Sequence, residues 1–208
     1  MGRPIAVAIT GGIGAGKSTA LECFRRHGAA TVSSDEIVHH LIANDPDVKR
    51  ALVDRFGDEI LGSEGVPDRD RIALRVFDDP EALDFLEKLL HPLVSREYMT
   101  WREQLAELPN PPRVCVTEVP LLFEVGAESR FDQVVVVTAP RKLREARRGG
   151  WKDDRESRLL PDKEKVARAD FSYVNTGTPD ELDAWVAGVM ATLSAGPSTE
   201  AAPEIAAE

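Results

Sequence analysis

Short apolar runs alternate along this chain with longer stretches whose apolar residues recur every three or four positions. "IAVAIT" (Ile5 to Thr10) is apolar, rich in β-branched residues and followed by glycines, which predicts a buried parallel strand. Lys17 to His27 places Leu21 and Phe24 on one helical face, and Gly28 stops it. "AATV" is a second short strand. In the following "SSDE", Ser33 and Glu36 have the spacing of a capping box, which puts Asp35 in the first turn of a helix, where the helix dipole favours an acid. From Pro46 to about Leu108 the signals are helical, in "DPDVKRALVDRF", "DRDRIALRVF" and a long segment starting at Pro80, where Leu83, Leu86, Leu90 and Leu93 recur at helical intervals. "NPPR" ends this region. Strands return as Val114 to Val119 and Asp132 to Ala139, an arginine-rich helix follows Pro140, "ADFSYVN" is a last short strand, and Pro179 to Leu193 is a helix burying Trp185 and Val189.

Strands alternating with helices predict an α/β fold, a parallel sheet flanked by helices and carrying a helical insertion. We expect one domain over residues 1–194, with its core in 1–45 and 111–194, a helical acceptor-binding lobe over about 46–110 and a short lid over about 141–160. Residues 195–208 are small, polar and proline-containing, the composition of a disordered tail.

Composition narrows the function classes. The chain has 208 residues, 42% hydrophobic and 30% charged, enough for a real core without disulfide staples. Its 26 Lys and Arg against 36 Asp and Glu give a net charge of −10, which argues against a nucleic-acid partner. Within it, Arg141 to Arg158 holds eight basic residues against four acids, the makings of a local pocket for a small anion or simply a solvated helix face. The longest apolar run, around Val134 to Val137, is too short to span a bilayer, and the N-terminal residues lack the long apolar core of a signal peptide. Cys23 and Cys115 have no paired spacing and read as buried, reduced thiols. A cytoplasmic protein without a membrane partner, monomeric or weakly oligomeric, is the expectation.

The chemistry begins directly after the first strand. "GGIGAGKST" contains G-x-x-x-x-G-K-S at Gly11, Gly16, Lys17 and Ser18, between an apolar strand and a helix start. Gly12, Ile13, Gly14, Ala15 and Gly16 let the backbone wrap an anion with its N–H groups inward, and the helix N-terminus adds positive potential. Lys17 then reaches the β- and γ-phosphates of ATP, Ser18 joins a Mg²⁺ shell, and Thr19 completes the nucleotide loop. A guanine-reading Asn-Lys-x-Asp motif is absent, and the third strand ends in a lone Glu118 in place of a hydrolytic Asp-Glu pair. The pattern favours a kinase for a small acceptor over a switch or motor.

These residues resemble the dephospho-CoA kinases, from Ile5 to about Gly177. The resemblance rests on four ordered motifs: "TGGIGAGKST"; the succession Asp68, Arg69, Val76, Phe77 and His91 to Val94; "EVPLLFEVG" from Glu118 to Gly126; and "ADFSYVNTG" from Ala169 to Gly177. It implies ATP-dependent phosphorylation of the ribose 3′-hydroxyl of dephospho-CoA, with Asp35 accepting the hydroxyl proton. It also implies that Arg69, His91, Glu118 and Leu121 line the acceptor pocket, that Asn175 and Gly177 lie near the adenine, and that lid arginines neutralise the transferring phosphoryl group. Arg144, Arg147, Arg148 and Arg155 are the lid candidates.

Residue by residue, simpler readings stand beside these. His91-Pro92 can break or start a helix, and Arg69 can be a surface ion pair with Asp68 or Asp70. The chain also departs from the family pattern. Ser33 replaces the first aspartate of an Asp-x-Asp motif, Glu118 stands where aspartate is common, and residues 140–170 form a shortened segment with Leu159 in place of a glutamine. The alternatives to dephospho-CoA kinase are another P-loop nucleoside or nucleotide kinase, a nucleotide-hydrolysing switch, and a nucleotide-binding protein whose catalysis is weakened by the short lid.

Overall fold

The structure is a computed structural model and describes residues 2–149 and 159–195; Arg155 and the tail lie outside the described residues. Its centre is a five-stranded parallel sheet of β1 (Ile5–Gly11), β2 (Ala30–Ser33), β3 (Val114–Glu118), β4 (Gln133–Thr138) and β5 (Phe171–Val174), in the order β2-β3-β1-β4-β5. Both central neighbours of β1 are distant in sequence. Val7 pairs with Val116 on one side and Gln133 on the other.

Because side chains alternate across a strand, β1 and β4 each serve two cores. Val7, Ile9, Val135 and Val137 face α1 (Lys17–Arg26) and α8 (Pro179–Ala195), packing on Leu21, Phe24, Val186 and Val189. Ala8, Val134 and Val136 face the opposite way, onto Leu122, Phe123 and Ala127 in the turns after β3. Both-sided burial explains why these strands read as continuous apolar runs. Trp185 is only partly buried and stacks on Tyr173, with ring centroids 5.0 Å apart. Cys23 and Cys115 are free and buried, and burial pushes the Cys115 thiol up to about 11.

Between β2 and β3 the chain forms α2 (Ser34–Asn44), α3 (Pro46–Phe56), α4 (Arg69–Val76) and α5 (Pro80–Glu107). These helices share a separate core in which Ile37, Leu41, Leu52, Ile72, Leu90 and Tyr98 are buried. Each starts on a side-chain cap: Ser33, Asp45, Asp68 and Asp79 accept from backbone N–H groups of the first turn. The capping box predicted at Ser33 is formed, with Ser33 Oγ accepting from Asp35 N–H and Glu36 accepting from Ser33 N–H, both at 3.2 Å.

Two expectations change here. His91-Pro92 neither starts nor ends a helix: α5 runs through Pro92, whose missing N–H removes one bond within a helix otherwise held by Leu90, Val94 and Tyr98 against the lobe core. The buried stripe of α5 is also rotated, passing through Ala82, Leu86, Leu90 and Val94, so that Leu83 lies at its edge. After β4 come α6 (Arg141–Arg147) and a short α7 (Asp162–Ala167), the latter without a clear sequence signal. Among the described residues no helix is long and apolar enough to cross a membrane.

Candidate active site

The C-terminal ends of β1, β2 and β3 converge, because Ser33 and Ile9 are both register partners of Glu118. In an open parallel sheet this edge is where ligands bind. The loop leaving β1 turns through Gly11, Gly14 and Gly16 at φ of 145°, 75° and 101°, and Gly16 leads straight into α1. Unlike α2 to α5, α1 has no side-chain cap and no acid in its first turn. Its leading N–H groups therefore stay open to an anion.

The glycines are also needed for close approach. A Cβ on Gly12 would lie 2.1 Å from Arg144 Nη1, and one on Gly16 would lie 2.3 Å from Asn175 Nδ2. Asn175 is buried and donates to the Ala15 carbonyl at 2.9 Å, while Arg147 donates to the same carbonyl at 3.3 Å and to Asn175 O at 3.1 Å. These contacts hold Ala15 O to one side of the loop. Arg148 packs its side chain beside Gly14 and donates to Arg144 O at 3.3 Å, and Arg144 lies 3.7 Å from Asp162. All three described lid arginines thus meet the loop, each at a different point.

Lys17 folds back over the loop, donating to Gly12 O at 3.2 Å, with its ammonium 4.0 Å from Glu118 Oε1. Ser18 Oγ donates to Glu118 Oε2 at 3.3 Å, so Glu118 links the two residues that open α1. Burial pushes the Lys17 ammonium below its usual lysine value, with the Glu118 and Asp35 carboxylates opposing the shift. Burial likewise pushes the Glu118 carboxyl up, opposed by Lys17 and reinforced by Asp35. Asp35 is exposed in the first turn of α2, close enough for its charge to act on both. The structure therefore gathers Lys17, Ser18 and Glu118 at the start of α1, with Asp35 in the first turn of α2, beyond the strand paired to Glu118. Ile13 is half-buried, and Ser18 and Thr19 are exposed at the same edge.

The remaining expected positions are spread further. Leu121 is half-buried in the turn after β3, next to Pro120, whose carbonyl accepts from Thr10 Oγ1. Gly177 packs against Glu181, where an added Cβ would lie 1.6 Å from Oε2, and Glu181 accepts from Thr178 N–H; this helix-capping contact explains the glycine. His91 is exposed on α5, and no hydrogen bond or ion pair joins it to another described residue. Arg69 makes no ion pair with Asp68 or Asp70, because Asp68 caps α4; it donates instead to His39 on α2. His39 was missed by motif reading, although its place four residues after Asp35 on one helix was a usable signal. Lys165 and Glu124, a buried pair 2.7 Å apart behind the turn after β3, had no such signal.

A parallel sheet with this glycine loop, an uncapped helix behind it and arginines over it defines a P-loop kinase. The family model described as "Dephospho-CoA kinase" matches residues 5–181. A dephospho-CoA kinase of Frankia casuarinae is 35% identical over 195 residues, covering 91% of this chain and 83% of the relative. A crystal structure of a Thermus thermophilus protein superimposes with a TM-score of 0.72 at 34% identity, over 92% of this chain and 99% of that one. The dephospho-CoA kinase of Campylobacter jejuni shares the fold, with a TM-score of 0.66 at 24% identity over 92% and 98% of the two chains. The chain belongs to the dephospho-CoA kinase family. Membership makes it a phosphotransferase that uses a nucleotide and acts on a small molecule.

Proposed function

We propose that the chain transfers the γ-phosphoryl group of ATP to the ribose 3′-hydroxyl of dephospho-CoA, with Asp35 as the group that receives the hydroxyl proton. The observation that supports this assignment is the placement of the Asp35 carboxylate, capped into the first turn of α2 and within electrostatic reach of both Lys17 and Glu118. ATP lies on the loop from Gly12 to Thr19, its phosphates on the open N–H groups of α1. Phosphate bound beside Lys17 favours its charged form and opposes the downward shift that burial causes.

Mg²⁺ fits this donor set: Ser18 Oγ and the Glu118 carboxylate are hard oxygen ligands 3.3 Å apart, and this ion takes few protein groups together with phosphates. Ser18 would hold it, with Glu118 behind, and it would neutralise charge on the β- and γ-oxygens. The chain's own contribution is orientation and electrostatic stabilisation. Asp35 aligns the hydroxyl; a carboxylate is a weak base toward an alcohol, so the proton moves late and orientation is its main contribution. The helices of residues 46–110 form the acceptor lobe, with Arg69, His91 and Leu121 toward the acceptor. Arg144, Arg147 and Arg148 supply positive charge at the loop; residues 150–158 of the lid expected over 141–160 lie outside the described residues.

ADP release is the test, followed with ATP alone, with dephospho-CoA, and with adenosine or AMP. Turnover that depends on dephospho-CoA supports the reading; ATP hydrolysis without acceptor, or ATP binding without turnover, supports a switch or a degenerate kinase. Asp35→Asn is expected to fold normally and lose on the order of 10²–10⁴ in kcat. Near wild-type turnover in this variant, with Lys17→Ala inactive, would remove Asp35 from the mechanism.

A further inference from the structure

The face of α2 that carries Asp35 carries a second polar side chain one turn on. His39 lies four residues after Asp35, so the two project from the same side of the helix, about 6 Å apart along its axis. Both are exposed. Opposite them Arg69, the first residue of α4, donates from Nη1 to His39 Nδ1 at 3.2 Å. With Nδ1 accepting, the proton of the neutral ring sits on Nε2, which leaves one further N–H donor on that face.

The guanidinium is not neutralised by its neighbours. Asp68 accepts from the N–H groups of Asp70 and Arg71, at 2.9 and 3.2 Å, as the cap of α4. Among the described residues no carboxylate lies within ion-pair distance of Arg69. A guanidinium in no ion pair with a described carboxylate is thus held by an imidazole one turn beyond the proposed base.

We propose that His39 and Arg69 together form the subsite for the diphosphate of the acceptor. His39 is the specificity residue: it orients the guanidinium and adds its own Nε2–H. The inference deepens the proposed function and rests on Asp35 facing the 3′-hydroxyl. In dephospho-CoA that hydroxyl and the 5′-carbon bearing the diphosphate leave opposite sides of one ribose. With the hydroxyl at Asp35, a diphosphate laid along α2 reaches His39 and Arg69, because one helical turn is about the width of the sugar. A guanidinium fork with an adjacent N–H donor suits phosphate oxygens. A neutral imidazole as the second donor also avoids setting two fixed cations against each other in the unliganded protein.

The test compares dephospho-CoA with adenosine, which shares the ribose and lacks the diphosphate together with its pantetheine arm, in His39→Ala and Arg69→Ala, with His39→Gln as the conservative control. The expected result is a rise of roughly ten-fold in KM for dephospho-CoA with kcat and KM for ATP little changed. The kcat/KM preference for dephospho-CoA over adenosine falls by the same factor. Gln at 39 restores most of it, because its amide both accepts from Arg69 and donates. Equal losses with both acceptors, or an unchanged preference, would overturn the subsite and leave the His39–Arg69 bond as a tie between α2 and α4. Calorimetric Kd values for dephospho-CoA and adenosine make the same comparison without turnover. A wild type that binds dephospho-CoA but does not phosphorylate it would sink the proposed function and still judge the subsite on affinity. No preference for dephospho-CoA over adenosine in wild-type binding would sink the subsite.

Discussion

Asn175 shapes the phosphate loop from far along the chain. Its buried amide donates to Ala15 O at 2.9 Å, and Arg147 donates to Ala15 O, Asn175 O and Asn175 Oδ1 at 3.3, 3.1 and 3.4 Å. A carbonyl held in this way cannot turn into the loop, where it would face phosphate oxygens. Removing a buried hydrogen bond of this kind costs about 1–2 kcal/mol. Asn175→Ala is therefore expected to raise KM for ATP roughly ten-fold while KM for dephospho-CoA changes little, as read from steady-state kinetics with each substrate varied in turn. Equal effects on both substrates would point to a general loss of structure. The closing motif singles out Asn175 in the sequence, but the partner it meets could not be read there: its amide contacts the loop backbone, 160 residues earlier in the chain.

At the scale of elements, the strands, the glycine loop and the helices of the insertion could be read from apolar period and cap residues, because each of those signals is local. The Ser33–Glu36 box announces α2 in the sequence as it does in the structure, whereas the Asp68 and Asp79 caps of α4 and α5 went unread. What could not be read depends on contacts between distant segments. Pro92 looks like a boundary by itself, but packing on both sides of it carries α5 through. α7 is short and is held mainly from outside. Its Lys165, fully buried, lies 2.7 Å from Glu124 Oε1, and Glu124 also accepts from Leu160 N–H at 2.9 Å. Arg168 adds a more exposed pair with Glu128. These contacts fasten the chain after residue 158 to the turns following β3, where Leu121 lies. Removing one member of a buried pair leaves the other charged and unsolvated, at a cost of about 3–5 kcal/mol. Lys165→Met is expected to lose that much stability in urea denaturation, and Lys165→Met with Glu124→Met to recover most of it. A double variant as unstable as the single one would mean that the lysine's packing, rather than its charge pairing, holds α7.

Across the whole molecule, the glycine loop with Lys17, Ser18 and Glu118 sits at the C-terminal edge of the sheet, and the opposite edge holds the strands together. There Asp132, just before β4, accepts from Ala6 N–H at 2.8 Å and from both terminal nitrogens of Arg3 at 2.6 Å. This one carboxylate joins the start of β1 to the start of β4, the pair that carries the glycine loop. Hydrogen bonding to Arg3 is the main cause that holds its carboxyl below the ordinary value of 3.8, and the Ala6 N–H adds to it. A carboxyl with a lower pKa in the folded than in the unfolded state contributes stability above the unfolded value. That stability is lost as pH falls through the folded one. Arg3 is 68% exposed, so solvent screening reduces the contribution to about 1 kcal/mol. Asp132→Asn is accordingly expected to lower stability by about 1 kcal/mol at pH 7 in dilute buffer. Added salt should narrow the difference from wild type, and it should begin to shrink once pH falls below 3.8, where the unfolded chain takes up the proton, and close only below the native carboxyl's own lower pKa. Urea titrations at several pH values check each part. A deficit that persists unchanged into acid would show that it comes from hydrogen-bond geometry that the amide cannot reproduce, and that charge at this edge contributes nothing to holding β1 beside β4.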